Sequence, residues 1–249
     1  MLSGYYTIAS GILTRQREID TIGNNLVNAQ TPGYRSKRTV ISAFEQELMT
    51  RKDAGSRTVI GGSGATATIV DDVVTNYESG SLTQTDRVFD AAISGEGFFT
   101  VAGANGALFL TRNGNFNMDA EGYLVLPNVG RVQGQNGAIR VGNADFEIDE
   151  SGRIYGSNGA YIDTLRISVL PEGTLPAELE NGAYAAPEGV QLQAAQGYSI
   201  IHKSLELSNV DYNRELTLLL EAQRTFQACS SALTIIDRIN EKAHQIAQV

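Results

Sequence analysis

The sequence predicts an α+β protein in which long N- and C-terminal helices, forming a coiled-coil-like assembly domain, flank a central all-β, mainly antiparallel domain. Three observations predict it. Apolar residues recur at alternating four- and three-residue steps at both ends, residues 198–249 contain neither Gly nor Pro, and the middle is punctuated by Asn-Gly pairs.

At the N-terminus, positions 1, 5, 8, 12, 15, 19, 22 and 26 read Met, Tyr, Ile, Ile, Arg, Ile, Ile, Leu, and all but Arg15 are apolar. That is the seam of a coiled coil. Gly4, Gly11 and Gly23 weaken the helix by about 1 kcal/mol each relative to Ala, so it depends on a partner. Thr31-Pro32-Gly33 ends it, because Pro has no amide to donate and Gly readily takes the positive φ of a tight turn. Val40, Ile41, Phe44 and Leu48 are spaced for one further short helix, and 53–67 reads as a Gly/Ser/Thr-rich linker.

Between 82 and 200, short strand-like runs alternate with Asn-Gly pairs at 105–106, 113–114, 136–137, 158–159 and 181–182, which suit tight turns between antiparallel strands. A repeat of 30 residues lies inside this stretch: Phe116-x-Met118-Asp119-x-x-Gly122-x-Leu124 recurs as Phe146-x-Ile148-Asp149-x-x-Gly152-x-Ile154. It reads as a duplicated hairpin. After the N-cap candidates Ser208-Asn209-Val210-Asp211, positions 219, 222, 226, 229, 233 and 236 carry Leu, Ala, Phe, Cys, Leu and Ile, continuing through Ile239, Ala243 and Ile246. The predicted helix is roughly 35 residues long, well beyond the average of about 11–12. The organisation expected is a helical assembly segment (1–52), an extended linker (53–81), a β domain (82–200) and an assembly helix (201–249).

The net charge of −9 divides as +3 over 1–52, −11 over 53–200 and −1 over 201–249. An acidic body is unsuited to nucleic acid, which is bound by neutralising phosphates, and the one basic cluster, Arg35, Lys37 and Arg38, is short. Cys229 is the single cysteine and His202 and His244 the two histidines, too few for a structural zinc site or an internal disulfide. No apolar run reaches 18 residues, and the first residues lack a basic region followed by an apolar one, so neither membrane insertion nor an ordinary secretory leader is expected.

Chemistry is sparse. The Asp119 and Asp149 segments lack the alternating ligands of a calcium loop, and the acidic pairs fit solvated turns better than a glycosidase site. Gly95-Glu96-Gly97 has neither the third Gly nor the Lys-Ser/Thr of a phosphate loop. The expectation is no enzyme, no cofactor, no metal and no small-molecule substrate.

Three blocks carry a family resemblance. Asn24-Asn25-Leu26-Val27-Asn28-Ala29-Gln30-Thr31-Pro32-Gly33-Tyr34 closely resembles the N-terminal signature of the flagellar rod and hook proteins. Gly80-x-Leu82-x-x-Thr85, Asp90-x-Ala92-Ile93-x-Gly95-x-Gly97-Phe98-Phe99 and Thr111-Arg112-x-Gly114-x-Phe116 are similar to the β-domain signature of that family. Leu205-Glu206-x-Ser208-Asn209-Val210-Asp211 with Glu221-Ala222-Gln223-Arg224-x-Phe226 is similar to its C-terminal helix. The length and the opening Met1-Leu2-x-Gly4-x-Tyr6-Thr7-x-Ala9-Ser10-Gly11 favour the proximal-rod (FlgF-like) branch, with the distal-rod (FlgG-like) branch second.

The resemblance implies a structural subunit of the bacterial flagellar basal body. Its terminal helices would polymerise with copies of itself and with other rod and hook proteins into a tube that transmits torque and encloses the export channel. It also implies delivery by the flagellar type III export apparatus. The residues expected at the assembly interface are Ile8, Ile12, Ile19, Ile22, Asn24, Asn25, Leu26, Asn28, Leu219, Phe226, Leu233 and Ile236. A competing reading from another class is a secreted β-domain adhesin on a helical stalk, which predicts a small closed oligomer.

Overall fold

The computed structural model describes residues 2–53, 56–103, 105–170, 177–179, 182–185 and 192–247. They divide into two compact units, one of residues 1–27, 36–76 and 211–249 and one of residues 28–35 and 77–210.

The first unit holds both long helices, α1 (Leu2–Val27) and α2 (Tyr212–Ala247), as the periodicity predicts. Asp211 caps α2: its Oδ1 accepts the amides of Asn213 at 3.1 Å and Arg214 at 3.2 Å, two of the donors a helix start leaves open. At 1.5 Å per residue, 36 residues span about 54 Å.

The stretch between differs from expectation. Instead of a short helix around 40–48 and a linker, the chain forms a long antiparallel hairpin of β1 (Lys37–Asp53) and β2 (Ser56–Thr75), in register from Lys37 opposite Thr75 to Asp53 opposite Ser56. The physical reason is β-branching. Thr39, Val40 and Ile41 lie opposite Val73, Asp72 and Val70, and β-branched residues such as these disfavour helix and suit a pleated ladder. Among the described residues of the expected linker, only 76–81 lack regular structure.

The second unit is the predicted β domain. Its largest sheet runs antiparallel through Ala177–Glu178, Ala183–Ala185, Leu108–Thr111, Phe98–Ala102, Gly130–Gly134, Leu124–Leu126 and Asn117–Met118, and Ile167–Val169 also pairs with Phe98–Ala102. A second sheet joins Phe146–Ile148, Arg153–Gly156 and Tyr161–Thr164. Ser199–His202 pairs with Ala91–Ser94, and Ser204–Glu206 with Leu82–Gln84. The core gathers Ile93, Phe99, Val101, Phe116, Leu124, Val132, Ile139, Phe146, Ile154, Leu165 and Ile200, with Phe99 and Phe116 edge to face at 5.1 Å.

The 30-residue repeat is a repeated hairpin. Asp119 Oδ1 accepts the amides of Glu121 (3.0 Å) and Tyr123 (2.8 Å), and Asp149 Oδ1 accepts those of Ser151 (2.9 Å) and Arg153 (2.9 Å). In both, the Gly three residues on takes positive φ and donates to the Asp carbonyl. Of the Asn-Gly pairs, 113–114 is not such a turn: a Cβ on Gly114 would sit 1.6 Å from the Ala91 carbonyl oxygen, so Gly is needed there for close approach.

Candidate assembly interface

In the helical unit α1 packs along α2 and against the hairpin. The approach is close where Gly11 faces Cys229, since a Cβ on Gly11 would lie 3.9 Å from the Cys229 Sγ. At that distance an added Cβ would meet the sulfur in ordinary van der Waals contact, so a small side chain fits at position 11.

The expected interface residues separate into groups. Ile22 and Asn25 are buried; Ile8, Ile12, Ile19, Leu26, Leu219, Phe226, Leu233 and Ile236 are half-buried; Asn24 is exposed. The two seams are the faces that this one chain turns inward, so much of their burial is met within the subunit. Asn25 ties three elements of the unit together. Its Nδ2 donates to the Lys37 carbonyl at 2.8 Å and to Glu215 Oε2 at 3.2 Å, while its Oδ1 accepts the Lys37 amide at 2.9 Å. Asn28, in the β unit, serves a turn: its carbonyl accepts the Thr31 amide (3.0 Å) and its Oδ1 the Thr31 hydroxyl (3.1 Å).

Apolar side chains also remain exposed on both helices, some of them at predicted seam positions. Leu216 and Leu220 stand one helical turn apart on α2, and Ile235, Ile239 and Ile246 form a second group toward its end, with Leu13 and Val27 exposed on α1. At about 100° per residue the two α2 groups lie on different faces, roughly a quarter turn apart. Ile239 and Ile246 were expected on the seam continuation and are 55% and 78% exposed.

Sequence reasoning missed a cluster of three buried charged residues. In the β unit, Glu206 is wholly buried between two arginines: Arg35 Nη2 lies 2.8 Å from Oε1 and Arg112 Nη1 3.3 Å from Oε2. The Gly80 amide donates to Oε1 at 3.1 Å, Arg35 donates to the Glu78 carbonyl, and Arg112 to the carbonyls of Ile93 (3.3 Å) and Gly95 (2.7 Å). Burial lowers the Arg112 guanidinium from its ordinary value, with Glu206 opposing and Arg35 adding to the drop. Both Nε atoms, of Arg35 and of Arg112, lack a hydrogen-bond partner among the described residues. Each of the three residues lies in or beside a family block, but nothing in its spacing marked it as internal.

Three family models match in chain order: flagella basal body rod protein over residues 6–35, flagellar hook protein FlgE/F/G D1 domain over 92–155, and flagellar basal body rod FlgEFG protein C-terminal over 202–246. The flagellar basal-body rod protein FlgG of Bacillus subtilis is 31% identical across 96% of this chain and 97% of its own. The chain belongs to the flagellar basal-body rod protein family. Another rod protein, FlgF of Caulobacter vibrioides, is 26% identical over 94% of this chain and 93% of its own, and the hook-basal body complex protein FlhO of Bacillus subtilis is 27% identical over 98% and 97%. The preference drawn from the opening residues for the proximal branch gives way to a coarser statement: within the rod family the chain is FlgF- or FlgG-like. The β1–β2 hairpin falls between the segments matched by the first two family models.

Proposed function

We propose that this chain is a structural subunit of the flagellar basal-body rod that polymerises through α1 and α2 with copies of itself and with other rod- and hook-type proteins, and that it performs no catalysis. The observation that supports assembly beyond a pair is the placement of leftover apolar surface. With α1 and α2 packed on each other, Leu216/Leu220 and Ile235/Ile239/Ile246 are still exposed, at different heights and on different faces of one helix. Exposed apolar groups on a long helix call for partners, and two faces call for two neighbours. Repeated unlike contacts that do not close build a helical tube, whereas an adhesin stalk would present one seam and close.

The family relatives, named as basal-body rod proteins, support the location and the structural role. Delivery through the export apparatus and a channel enclosed by the helices belong to the same reading. The test is Leu220→Asp and Ile239→Asp in the full chain. Since both residues are more than half exposed, each variant is expected to keep the parent's stability within about 0.5 kcal/mol. The critical concentration for polymer formation, followed by sedimentation and electron microscopy, is expected to rise tenfold or more, about 1.4 kcal/mol. Unchanged polymerisation by both variants would remove these faces from the interface.

A further inference from the structure

The β unit contains an open cleft of about 410 Å³ whose lining includes Thr31, Arg87, Asn113, Asn115, Asn117 and Asn128. Three of its asparagines are locked in one sense. Arg87 Nη1 donates to Asn115 Oδ1 at 2.6 Å, Arg87 Nη2 to Asn117 Oδ1 at 2.8 Å, and the Asn115 amide to Asn113 Oδ1 at 3.0 Å. A guanidinium and a backbone N–H can only donate, so each Oδ1 must face its donor and each Nδ2 must face away. None of these three Nδ2 groups has a hydrogen-bond partner among the described residues.

The cleft thus offers three oriented amide donors around one cation. No acidic side chain is in its lining. Asp90, at 3.6 Å from Arg87, is 1% exposed and is not among the lining residues. Such a surface is unexpected in a unit with eight Lys and Arg against sixteen Asp and Glu. Donors without acceptors, set on a positive charge, complement a group with several lone pairs and a negative charge.

We infer that this cleft is a carboxylate-binding site, with Asn113, Asn115 and Asn117 supplying the hydrogen bonds and Arg87 both the charge and the orientation of two of the amides. In an assembly of chains that each carry a net charge of −9, an acidic side chain of a second copy is the nearest abundant carboxylate. That source rests on the rod-subunit reading. The site itself does not, because a small free carboxylate offers the same chemistry.

The test uses the ¹⁵N-labelled full chain and sodium glutarate, with sodium chloride as the ionic-strength control. The side-chain amide signals of Asn113, Asn115 and Asn117 are expected to move saturably with glutarate and not with chloride. Asn117→Asp keeps an oxygen for Arg87 but turns the outward donor into an acceptor, and should weaken binding about tenfold or more with the unfolding midpoint unchanged. Asn113→Ala, which removes a donor without adding charge, should weaken it less. No saturable shift in the parent, or an unaltered affinity in Asn117→Asp, overturns the site whatever assembly does. Given binding, a rise in the critical concentration for polymerisation in Asn117→Asp assigns the carboxylate to a neighbouring copy, and an unchanged value assigns it to a free ligand. A parent chain that binds glutarate and never polymerises would sink the rod-subunit reading and leave the site standing.

Discussion

The two units bury their apolar residues in opposite ways. Of the buried apolar side chains among the described residues, the β unit holds 22 and the helical unit two, Ile22 and Ala222. Among the described residues the helical unit nevertheless carries 12 of the 19 exposed large hydrophobic side chains, although its helices are long and regular. A unit with an enclosed core can be stable alone; one with half-covered seams and bare outer faces depends on neighbours for the rest. The β unit is a self-sufficient body, and the proposed polymerisation would draw on the helical unit.

The largest effect belongs to the β unit. Glu206→Gln keeps an acceptor for the Gly80 amide but leaves Arg35 and Arg112 buried without a counter-charge, which costs about 3–5 kcal/mol when one partner of a buried ion cluster is removed. Urea denaturation read at the tyrosines of the β unit is expected to show that loss. A change below about 1 kcal/mol would mean that the cluster is dispensable. Next comes Phe226→Asp, which places a carboxylate on the face α2 turns toward its own subunit. Helix content by circular dichroism should fall, with helical-unit stability down by about 2 kcal/mol or more, while the β-unit transition stays in place. Parallel loss of both transitions would erase the distinction between the units.

Much of this division is legible in the sequence, and the exceptions have physical causes. The helices follow from apolar spacing, the cap at Asp211 from its residue type, and the paired hairpins from Asp-x-x-Gly, because each of these signals is local. The β1–β2 hairpin was illegible where Val40, Ile41, Phe44 and Leu48 mimic a helical stripe, since β-branching and partners 15 to 32 residues away decide the outcome. The Arg35–Glu206–Arg112 cluster and the asparagine cleft join residues distant in sequence, and no spacing rule brings them together. The seams were legible as apolar faces, but spacing alone does not tell a partner within the chain from one outside it.

A disulfide probes that last ambiguity. Gly11→Cys would set a second thiol against Cys229 across the α1–α2 contact, with the new Cβ 3.9 Å from the native Sγ, within reach of a disulfide after a small shift of the helices. Mild oxidation of dilute protein is expected to give an intrachain bond in most molecules, seen as a faster band on non-reducing electrophoresis. Predominantly intermolecular dimers would mean that α1 finds its α2 on another copy, and the seams would then have to be reassigned to assembly.

The smallest effect compares the two halves of the repeat inside the β unit. Burial acts to raise the Asp119 carboxyl, but the amides of Tyr123 and Glu121, together with Arg131 at 2.9 Å, hold it below the usual carboxylate range. A group depressed in the folded state adds stability above its unfolded value of 3.8, and that contribution is lost as pH falls through the folded value. Asp149 makes the same turn with two amides. Asp119→Asn should therefore lower the β-unit melting point at neutral pH by no more than about 2 °C, and the gap between parent and variant should close on acidification below the usual Asp range. Asp149→Asn tests whether the turn amides suffice or whether Arg131 matters. An equal drop and an equal acid response in both variants would assign the effect to the shared turn. A larger acid-sensitive drop at Asp119 would assign it to the arginine that only the first repeat possesses, since Tyr161 stands 30 residues further on where Arg131 stands in the first half.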